Sequence, residues 1–379
     1  MTVRRCLPAL IASAALLGAI GCKGPQPTSR PASAPGVDPM LSINTLHPAP
    51  DDYARSRVGT PEYPIPPWAK HLKGVRIALD PGHGGDSQQR AFKRGPTGVR
   101  EAEMNLRVGQ YLREFLLAAG AEVRLTRETD VDLSHADRAA VANDWPADLF
   151  ISLHHNAIDN KPQVNYTTVW YHGTIDHSPS SLDLARHLCH ALYDGIALPQ
   201  IADVPLKSDQ LMYPDGFAVL RHARVTAALV ETSFYTNPDE EQRLRRPEYN
   251  LREAYALFLG LARYSYTGLP RLTLVEPSSG RLPPGQNRAL GLVLDDGLRW
   301  RKAWGHQRQM ILSDSIVARI DGRVVEHAFT NEDYRLRVSV PDDLAPGEHT
   351  VEVQFHNLFK NAVLNPRATF VVEKPLDIQ

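Results

Sequence analysis

Residues 74–85 read Gly74-Val75-Arg76-Ile77-Ala78-Leu79-Asp80-Pro81-Gly82-His83-Gly84-Gly85. The apolar run ends at the turn residues Asp80-Pro81-Gly82, a pattern that is typical of a short buried strand. His83, a metal-competent residue, follows this strand directly. In open α/β sheets, ligands bind in the loops that leave the carboxyl ends of the strands. The stretch therefore predicts a central strand and one side of a binding site.

Strands and helices alternate beyond this stretch. Residues 101–119 have apolar side chains at helical spacing and are followed by Gly120, a helix-terminating residue. Further strands are predicted at 122–125, 148–153, 167–171 and 227–230, and further helices at 135–143, 181–193 and 238–265. This alternation predicts an α/β domain over residues 71–267, with a mixed, mostly parallel sheet flanked by helices on both faces.

The pattern changes after Tyr266. Short runs of alternating apolar and polar residues, such as residues 335–340, are separated by turn residues such as Pro341-Asp342-Asp343. About a hundred residues of this kind, without a helical period, predict an all-β immunoglobulin-like sandwich over residues 271–374.

The amino terminus has the features of a secretory signal over residues 1–22. Arg4 and Arg5 precede an apolar run over residues 7–20, which is too short to span a bilayer. Small residues before Cys22 resemble a bacterial lipoprotein cleavage site, which implies a lipid on Cys22 and attachment to a membrane. The absence of Asp after Cys22 fits the periplasmic side of the outer membrane. The alternative is an ordinary signal peptide with a coincidental cysteine.

Residues 23–70 contain 11 prolines, and this composition predicts an extended tether that forms no core. The formal net charge of the chain is -1, which argues against nucleic acid as a partner. Its three cysteines are too few for a disulfide framework, and Cys189 has apolar neighbours at helical spacing that predict a buried side chain.

Four metal-competent residues lie where strands end or where the first helix begins: His83, Glu101, His154 and Glu231. We expect all four at one edge of the sheet. Two imidazoles and a carboxylate suit a catalytic zinc ion, so we assign His83, Glu101 and His154 to Zn²⁺. Glu231 leaves an apolar strand, where desolvation raises a carboxyl pKa, and we assign it to proton transfer.

The residues alone leave alternatives for these assignments. Glu103 rivals Glu101 as a ligand, and His155 rivals His154. Successive strand residues face opposite ways, so the two histidines are not both expected at one ion. Glu231 has an alternative as an ion-pair partner of Arg221, and Arg138 fits a structural role better than a catalytic one.

The same stretches resemble the zinc-dependent N-acetylmuramoyl-L-alanine amidases of bacterial cell walls, over roughly Gly74 to Ser265 and in the family's order. The motifs that carry the resemblance are Asp80-Pro81-Gly82-His83-Gly84-Gly85, Glu101-Ala102-Glu103-Met104-Asn105-Leu106, Thr126-Arg127-Glu128-Thr129-Asp130 with Asp137-Arg138, Ser152-Leu153-His154-His155-Asn156, and Leu229-Val230-Glu231-Thr232-Ser233. Each motif alone is moderately specific, whereas their shared order is strong support.

The resemblance implies a six-stranded mixed sheet, zinc held by His83, Glu101 and His154, and Glu231 as the catalytic residue. It also implies hydrolysis of the amide between N-acetylmuramic acid and L-alanine in peptidoglycan. Two other functions fit the residues: a zinc peptidase or deacetylase acting on other cell-wall amides, and a non-catalytic lipoprotein that binds the cell wall. The sandwich would bind glycan, bind a protein regulator, or position the catalytic domain.

Overall fold

The computed structural model describes residues 46–87, 89, 92–173, 178–300 and 308–374. The predicted signal segment, Cys22 and the first part of the predicted tether lie outside these residues. Within them, no helix has the length and apolar character needed to cross a membrane.

Six strands form the sheet of the first domain. They are β1 (Arg76–Pro81), β2 (Glu122–Leu125), β3 (Leu149–Asn156), β4 (Thr168–Tyr171), β5 (Leu206–Ser208) and β6 (Thr226–Phe234). The order in the sheet is β2-β1-β3-β6-β4-β5. The first four strands in this order are mutually parallel, whereas β4 runs antiparallel to β6 and parallel to β5. The prediction of a mixed, mostly parallel sheet is confirmed.

Six α-helices lie between or after these strands. They are α1 (Glu101–Ala118), α2 (His135–Asn143), α3 (Pro179–Ile196), α4 (Ala218–His222), α5 (Pro238–Leu244) and α6 (Pro247–Tyr266). The helices predicted over 238–265 are confirmed as α5 and α6, which are separated just before Pro247. A proline disfavours the helical conformation of the residue that precedes it, so Pro247 begins a new helix.

The two faces of the sheet have different coverings. Alternate strand residues such as Leu79, Leu153 and Val230 pack in one hydrophobic cluster with the long helices α1, α3 and α6. The residues between them, such as Phe150 and Leu229, pack in a separate cluster with the short helices α2 and α4. Because side chains alternate between faces along a strand, β1, β3, β4 and β6 each contribute to both clusters. Short helices leave the carboxyl edge of this second face open.

The predicted tether is wrong over residues 46–70. Tyr53, Tyr63 and Ala69 are buried in the same core as α1 and α6. The ring centroid of Tyr63 lies 6.1 Å from that of Phe115 and 5.3 Å from that of Tyr255. Proline fixes the local backbone but does not prevent the apolar residues between the prolines from being buried. The folded domain thus begins before residue 71.

The carboxyl-terminal segment folds as two β-sheets. Its strands are β7 (Arg271–Glu276), β8 (Arg281–Leu282), β9 (Ala289–Asp295), β10 (Val317–Ile320), β11 (Arg323–Val324), β12 (His327–Thr330), β13 (Arg335–Ser339), β14 (Gly347–Gln354) and β15 (Arg367–Val372). One sheet has the order β12-β13-β9-β7 and the other β11-β10-β14-β15-β8. Leu292, Leu336, Val351 and Phe370 belong to one buried cluster, so the two sheets share a core. The prediction that this segment is all-β is confirmed.

Polar contacts join the sandwich to the α/β domain. The amide of Asn357 donates to the backbone oxygen of Thr267 at 2.9 Å, and the amide of Asn361 donates to that of Gly268 at 2.9 Å. The carboxylate of Asp183 in α3 accepts a hydrogen bond from the backbone N–H of Ala362 at 2.8 Å. All three side chains are buried. These bonds would be lost without the sandwich, so the junction is specific.

We expect Tyr63→Ala to lower the free energy of unfolding by about 3–5 kcal/mol, because it removes a buried aromatic ring from the main core. The control is Leu117→Ala, which truncates a side chain exposed on α1 and should change stability by less than about 0.5 kcal/mol. Urea unfolding of both variants measures the difference. Equal stabilities would show that residues 46–70 do not contribute to the core.

Candidate metal centre and active site

The four residues singled out in the sequence meet at one edge of the sheet. His83 follows β1, Glu101 is the first residue of α1, His154 lies in β3 and Glu231 lies in β6. All four line one cavity of about 840 Å³. Both strands run further than predicted, since β3 continues to Asn156 and β6 to Phe234. Each site residue on them therefore projects from a regular strand and not from a loop.

Glu101 lies between the two imidazoles. Its Oε2 is 3.2 Å from His83 Nε2, and its Oε1 is 3.0 Å from His154 Nδ1. One ligand atom from each residue lies within 4.8 Å of the others. Burial by itself raises the pKa of Glu101, but the imidazoles of His83 and His154 hold it well below its usual range. The carboxylate is therefore the charged form that a cation requires.

This donor set fits a zinc ion. Zinc in catalytic sites takes imidazole nitrogen and carboxylate oxygen from about three protein ligands. Glu231 Oε2 is buried and has no hydrogen-bond partner among the described residues, whereas the buried Glu101 Oε2 contacts His83 Nε2 at 3.2 Å without a well-directed hydrogen bond. Such unsatisfied buried oxygens are uncommon unless a ligand or an ion completes their contacts.

The two neighbouring histidines of β3 face opposite sides of the sheet. The imidazole of His154 belongs to the ligand cluster, whereas that of His155 is buried between side chains of α1 and α6. The Nδ1 of His155 is 2.9 Å from Asn105 Oδ1, and its Nε2 is 3.1 Å from Glu253 Oε2 in α6. Strand alternation thus places only His154 in the cluster. Glu103, the other rival, is not part of the cluster either.

Glu231 stands apart from the ligand cluster but in the same cavity. Burial raises its pKa well above the usual range, and the charge of Glu101 raises it further, while Lys93 acts in the opposite direction. Arg221, its alternative partner, donates instead to the backbone oxygen of Asp215 at 2.9 Å. This arrangement leaves Glu231 available for proton transfer.

The profile of the N-acetylmuramoyl-L-alanine amidase family matches residues 77–263, from β1 to α6. Residues 77–263 form a domain of this family. The match spans the strands and helices that carry all four site residues and ends before the sandwich.

Curated relatives agree over the amidase domain. The chain is 27% identical over 214 residues to the germination-specific N-acetylmuramoyl-L-alanine amidase of Bacillus subtilis, covering 52% of this chain and 83% of that protein. It is 30% identical over 191 residues to N-acetylmuramoyl-L-alanine amidase LytC of the same species, covering 50% of this chain and 36% of LytC. It is 28% identical to the probable cell wall amidase LytH of Staphylococcus epidermidis, covering 51% of this chain and 59% of LytH.

Solved structures similar to the amidase domain include AmiC2 of Nostoc punctiforme, at 27% identity and a TM-score of 0.44. That match covers 51% of this chain and 98% of AmiC2. An N-acetylmuramoyl-L-alanine amidase from Clostridium difficile 630 matches at 26% identity and a TM-score of 0.44, over 51% of this chain and 97% of that one.

A buried ion pair between Asp80 and Arg138 supports the first ligand loop. Arg138 was singled out from the sequence, but Asp80 was not identified as its partner. Arg138 Nη1 donates to Asp80 Oδ1 at 2.8 Å, and Arg138 Nη2 donates to the backbone oxygen of His83 at 2.9 Å. Thr126 and Ser152 also donate to the Asp80 carboxylate, each at 2.7 Å. Burial raises the pKa of Asp80, but Arg138 and these hydroxyls lower it below the usual value overall. Arg138 therefore has a structural role.

The backbone of the first ligand loop is constrained in two ways. His83 has φ of 57°, a left-handed conformation that costs a non-glycine residue free energy. Gly82 lies against the imidazole of His154, where an added Cβ would be 2.2 Å from Cε1 and Nε2. Arg127 donates to the backbone oxygen of Gly82 at 2.9 Å. The loop can take this position because Gly82 has no side chain, and hydrogen bonds hold it there.

We expect Gly82→Ala to destabilise the metal-free protein by about 1–3 kcal/mol, since the methyl group overlaps the His154 ring. The same substitution in a His154→Ala background should cost less, with a coupling of about 0.5–3 kcal/mol between the two positions. Urea unfolding of the four proteins measures this coupling. Equal costs in the two backgrounds would contradict the contact.

Proposed function

We propose that this chain is a zinc-dependent hydrolase of the amide between N-acetylmuramic acid and L-alanine in peptidoglycan. The observation that carries the proposal is the cluster of His83, Glu101 and His154 ligand atoms within 4.8 Å, with Glu231 in the same cavity. The family match and the names of the relatives support this particular amide as the substrate.

The residues of the chain divide the chemistry between them. Zinc, when bound by His83, Glu101 and His154, supplies a Lewis acid that polarises a carbonyl oxygen and acidifies water. Glu231 accepts a proton from the attacking water as its oxygen bonds to the amide carbon. Glu231 then donates that proton to the leaving nitrogen as the carbon–nitrogen bond breaks. The raised pKa of Glu231 favours this return step.

We propose that the sandwich is immunoglobulin-like. One sheet holds β12, β13, β9 and β7, which correspond to strands D, E, B and A of an immunoglobulin domain. The other contains β10, β14 and β15 in the order of strands C, F and G. We propose that the sandwich positions the amidase domain, since buried side chains join the two.

We further propose that Cys22 carries a lipid and that the protein is held at the periplasmic face of the outer membrane. The signal-like residues 1–22 support this location. Residues 23–45 separate Cys22 from the described domain, and 23 residues reach at most about 80 Å when extended. That reach allows an anchored enzyme to contact a polymer near the membrane.

The purified full-length chain should release peptides with a free N-terminal L-alanine from peptidoglycan, and a chelator should abolish the release until zinc is restored. Glu231→Gln should lower the rate by about 10²–10⁴-fold, because the proton carrier is lost. Glu332→Gln, a matched change at an exposed position, should leave the rate unchanged. Mass spectrometry of the products checks this expectation. Release of acetate or of shortened peptides would instead indicate a deacetylase or a peptidase.

The anchor is tested by Cys22→Ser in the native host. We expect the variant to lose incorporation of labelled fatty acid and to move from the membrane fraction to the soluble fraction, because the attachment sulfur is gone. Cys6→Ser, within the signal segment, is the matched control and should keep both properties. Unchanged labelling of Cys22→Ser would refute lipidation at this residue.

A further inference from the structure

Three consecutive large apolar side chains are exposed beside the site. They are Leu211, Met212 and Tyr213, with exposed fractions of 74%, 50% and 55%. They lie between β5 and α4, and we call them the apolar rim. Met212 and Tyr213 line the same cavity as Glu231 and the ligand cluster. Exposed apolar patches at the edge of a cavity are typical of ligand-binding surfaces.

The apolar rim is held in place at its base. Asp209, which is fully buried, accepts hydrogen bonds from the backbone N–H of Gly173 at 3.1 Å and of Phe217 at 2.8 Å. Its Oδ2 is also 2.8 Å from His172 Nδ1. These contacts tie both ends of the loop to the end of β4. The exposure of the rim is therefore built into the fold, because a buried carboxylate fixes the backbone beneath it.

A series of aromatic rings connects the rim to the cavity floor. The ring centroids of Tyr213 and Phe217 are 5.8 Å apart, and those of Phe217 and Trp170 are 5.4 Å apart, both in edge-to-face geometry. All three rings line the cavity, and Trp170 is buried. Edge-to-face packing of this kind orients the Tyr213 ring. The result is a rigid aromatic wall that runs from solvent toward the reacting groups.

The chemistry of this wall matches that of a sugar ring. The side chains of the rim carry no charge. The ammonium of Lys207 lies over the Trp170 ring, 5.4 Å from its centroid, so this end of the wall already holds a cation against an aromatic face. A pyranose ring presents C–H bonds, whose positive edges suit the negative face of an aromatic ring. Glycan is therefore the half of the substrate that the wall favours.

The position of the aromatic wall agrees with a substrate whose glycan and peptide halves lie on different sides of the amide. The strand order places β6, with Glu231, between β3 and β4. The ligand loop follows the carboxyl end of β1, which is parallel to β6, whereas the rim follows β5, which runs antiparallel to β6 and therefore ends at the opposite end of the sheet. An amide bound at Glu231 therefore has the aromatic wall on one side only. This is the arrangement expected if one half of the substrate, the glycan, extends along the wall.

We propose that Tyr213 and the apolar rim form a binding subsite for the glycan strand next to the scissile amide. The inference rests on the proposed amidase function and makes the enzyme selective for polymeric peptidoglycan over short fragments. Tyr213 is then a specificity-determining residue, which contacts sugar through its ring face.

The first test measures binding without catalysis. Zinc-loaded full-length Glu231→Gln protein is sedimented with peptide-free glycan strands, alone and combined with Tyr213→Ala or Tyr213→Phe. We expect Tyr213→Ala to weaken binding about threefold to tenfold, the range typical of an aromatic contact, and Tyr213→Phe to keep it. Leu358→Ala, which truncates an exposed apolar side chain of the sandwich, should have no effect.

The second test separates binding from chemistry. In otherwise wild-type protein, Tyr213→Ala should raise KM on polymeric peptidoglycan about threefold to tenfold and leave kcat within about twofold. On a muramoyl-peptide with a single sugar, the same variant should change KM little.

Three results would overturn the subsite: unchanged affinity for glycan strands in Tyr213→Ala, an equal loss in Tyr213→Phe, or a loss of affinity for free stem peptide instead of glycan. The binding test is independent of amide hydrolysis. If wild-type protein binds glycan through Tyr213 but releases no L-alanine peptides, the proposed function fails and the subsite stands.

Discussion

The buried ion pair between Asp80 and Arg138 joins β1 and β3, which carry the two histidine ligands, to α2 and to the segment after β2. Asp80 is the penultimate residue of β1, Arg138 lies in α2, and the hydroxyls of Thr126 and Ser152 bring in the segments after β2 and within β3. Burying two charges is costly unless each is paired and hydrogen-bonded. Both are satisfied only in one arrangement of the three strands and the helix. That arrangement also holds the His83 backbone, because Arg138 donates to its carbonyl oxygen.

The alternation of strand residues divides polar chemistry between the two faces of the sheet. On the open face, His154 and Glu231 reach the cavity. On the covered face, His155 and Thr232, their immediate neighbours in sequence, bind the buried carboxylate of Glu253 in α6. Glu253 thereby secures both strands behind the site. His154 and His155 thus have different roles, because consecutive residues of a strand point to opposite faces of the sheet.

Packing also decides where the domains begin and how they join. The proline-rich segment contains aromatic residues that cover α1 and α6, so it is part of the folded domain from Leu46 onward. The sandwich is joined through buried asparagine side chains, which satisfy backbone oxygens where α6 ends. Both features use side chains whose partners are far away in sequence. Composition alone predicts a tether for residues 23–70 and a separate domain for residues 271–374.

The sequence by itself determined the alternating strands and helices, the all-β character after Tyr266 and the edge of the sheet at which the metal-competent residues meet. These features follow from local periodicity and from the rule that parallel strands end at a common edge. The choice of Glu101 over Glu103 and of His154 over His155 came from the resemblance to the amidase family. Only the tertiary structure revealed the Asp80–Arg138 pair, the space that Gly82 leaves for His154 and the burial of residues 46–70. Each of these features depends on contacts between side chains that are far apart in the sequence, and no local sequence pattern encodes such contacts.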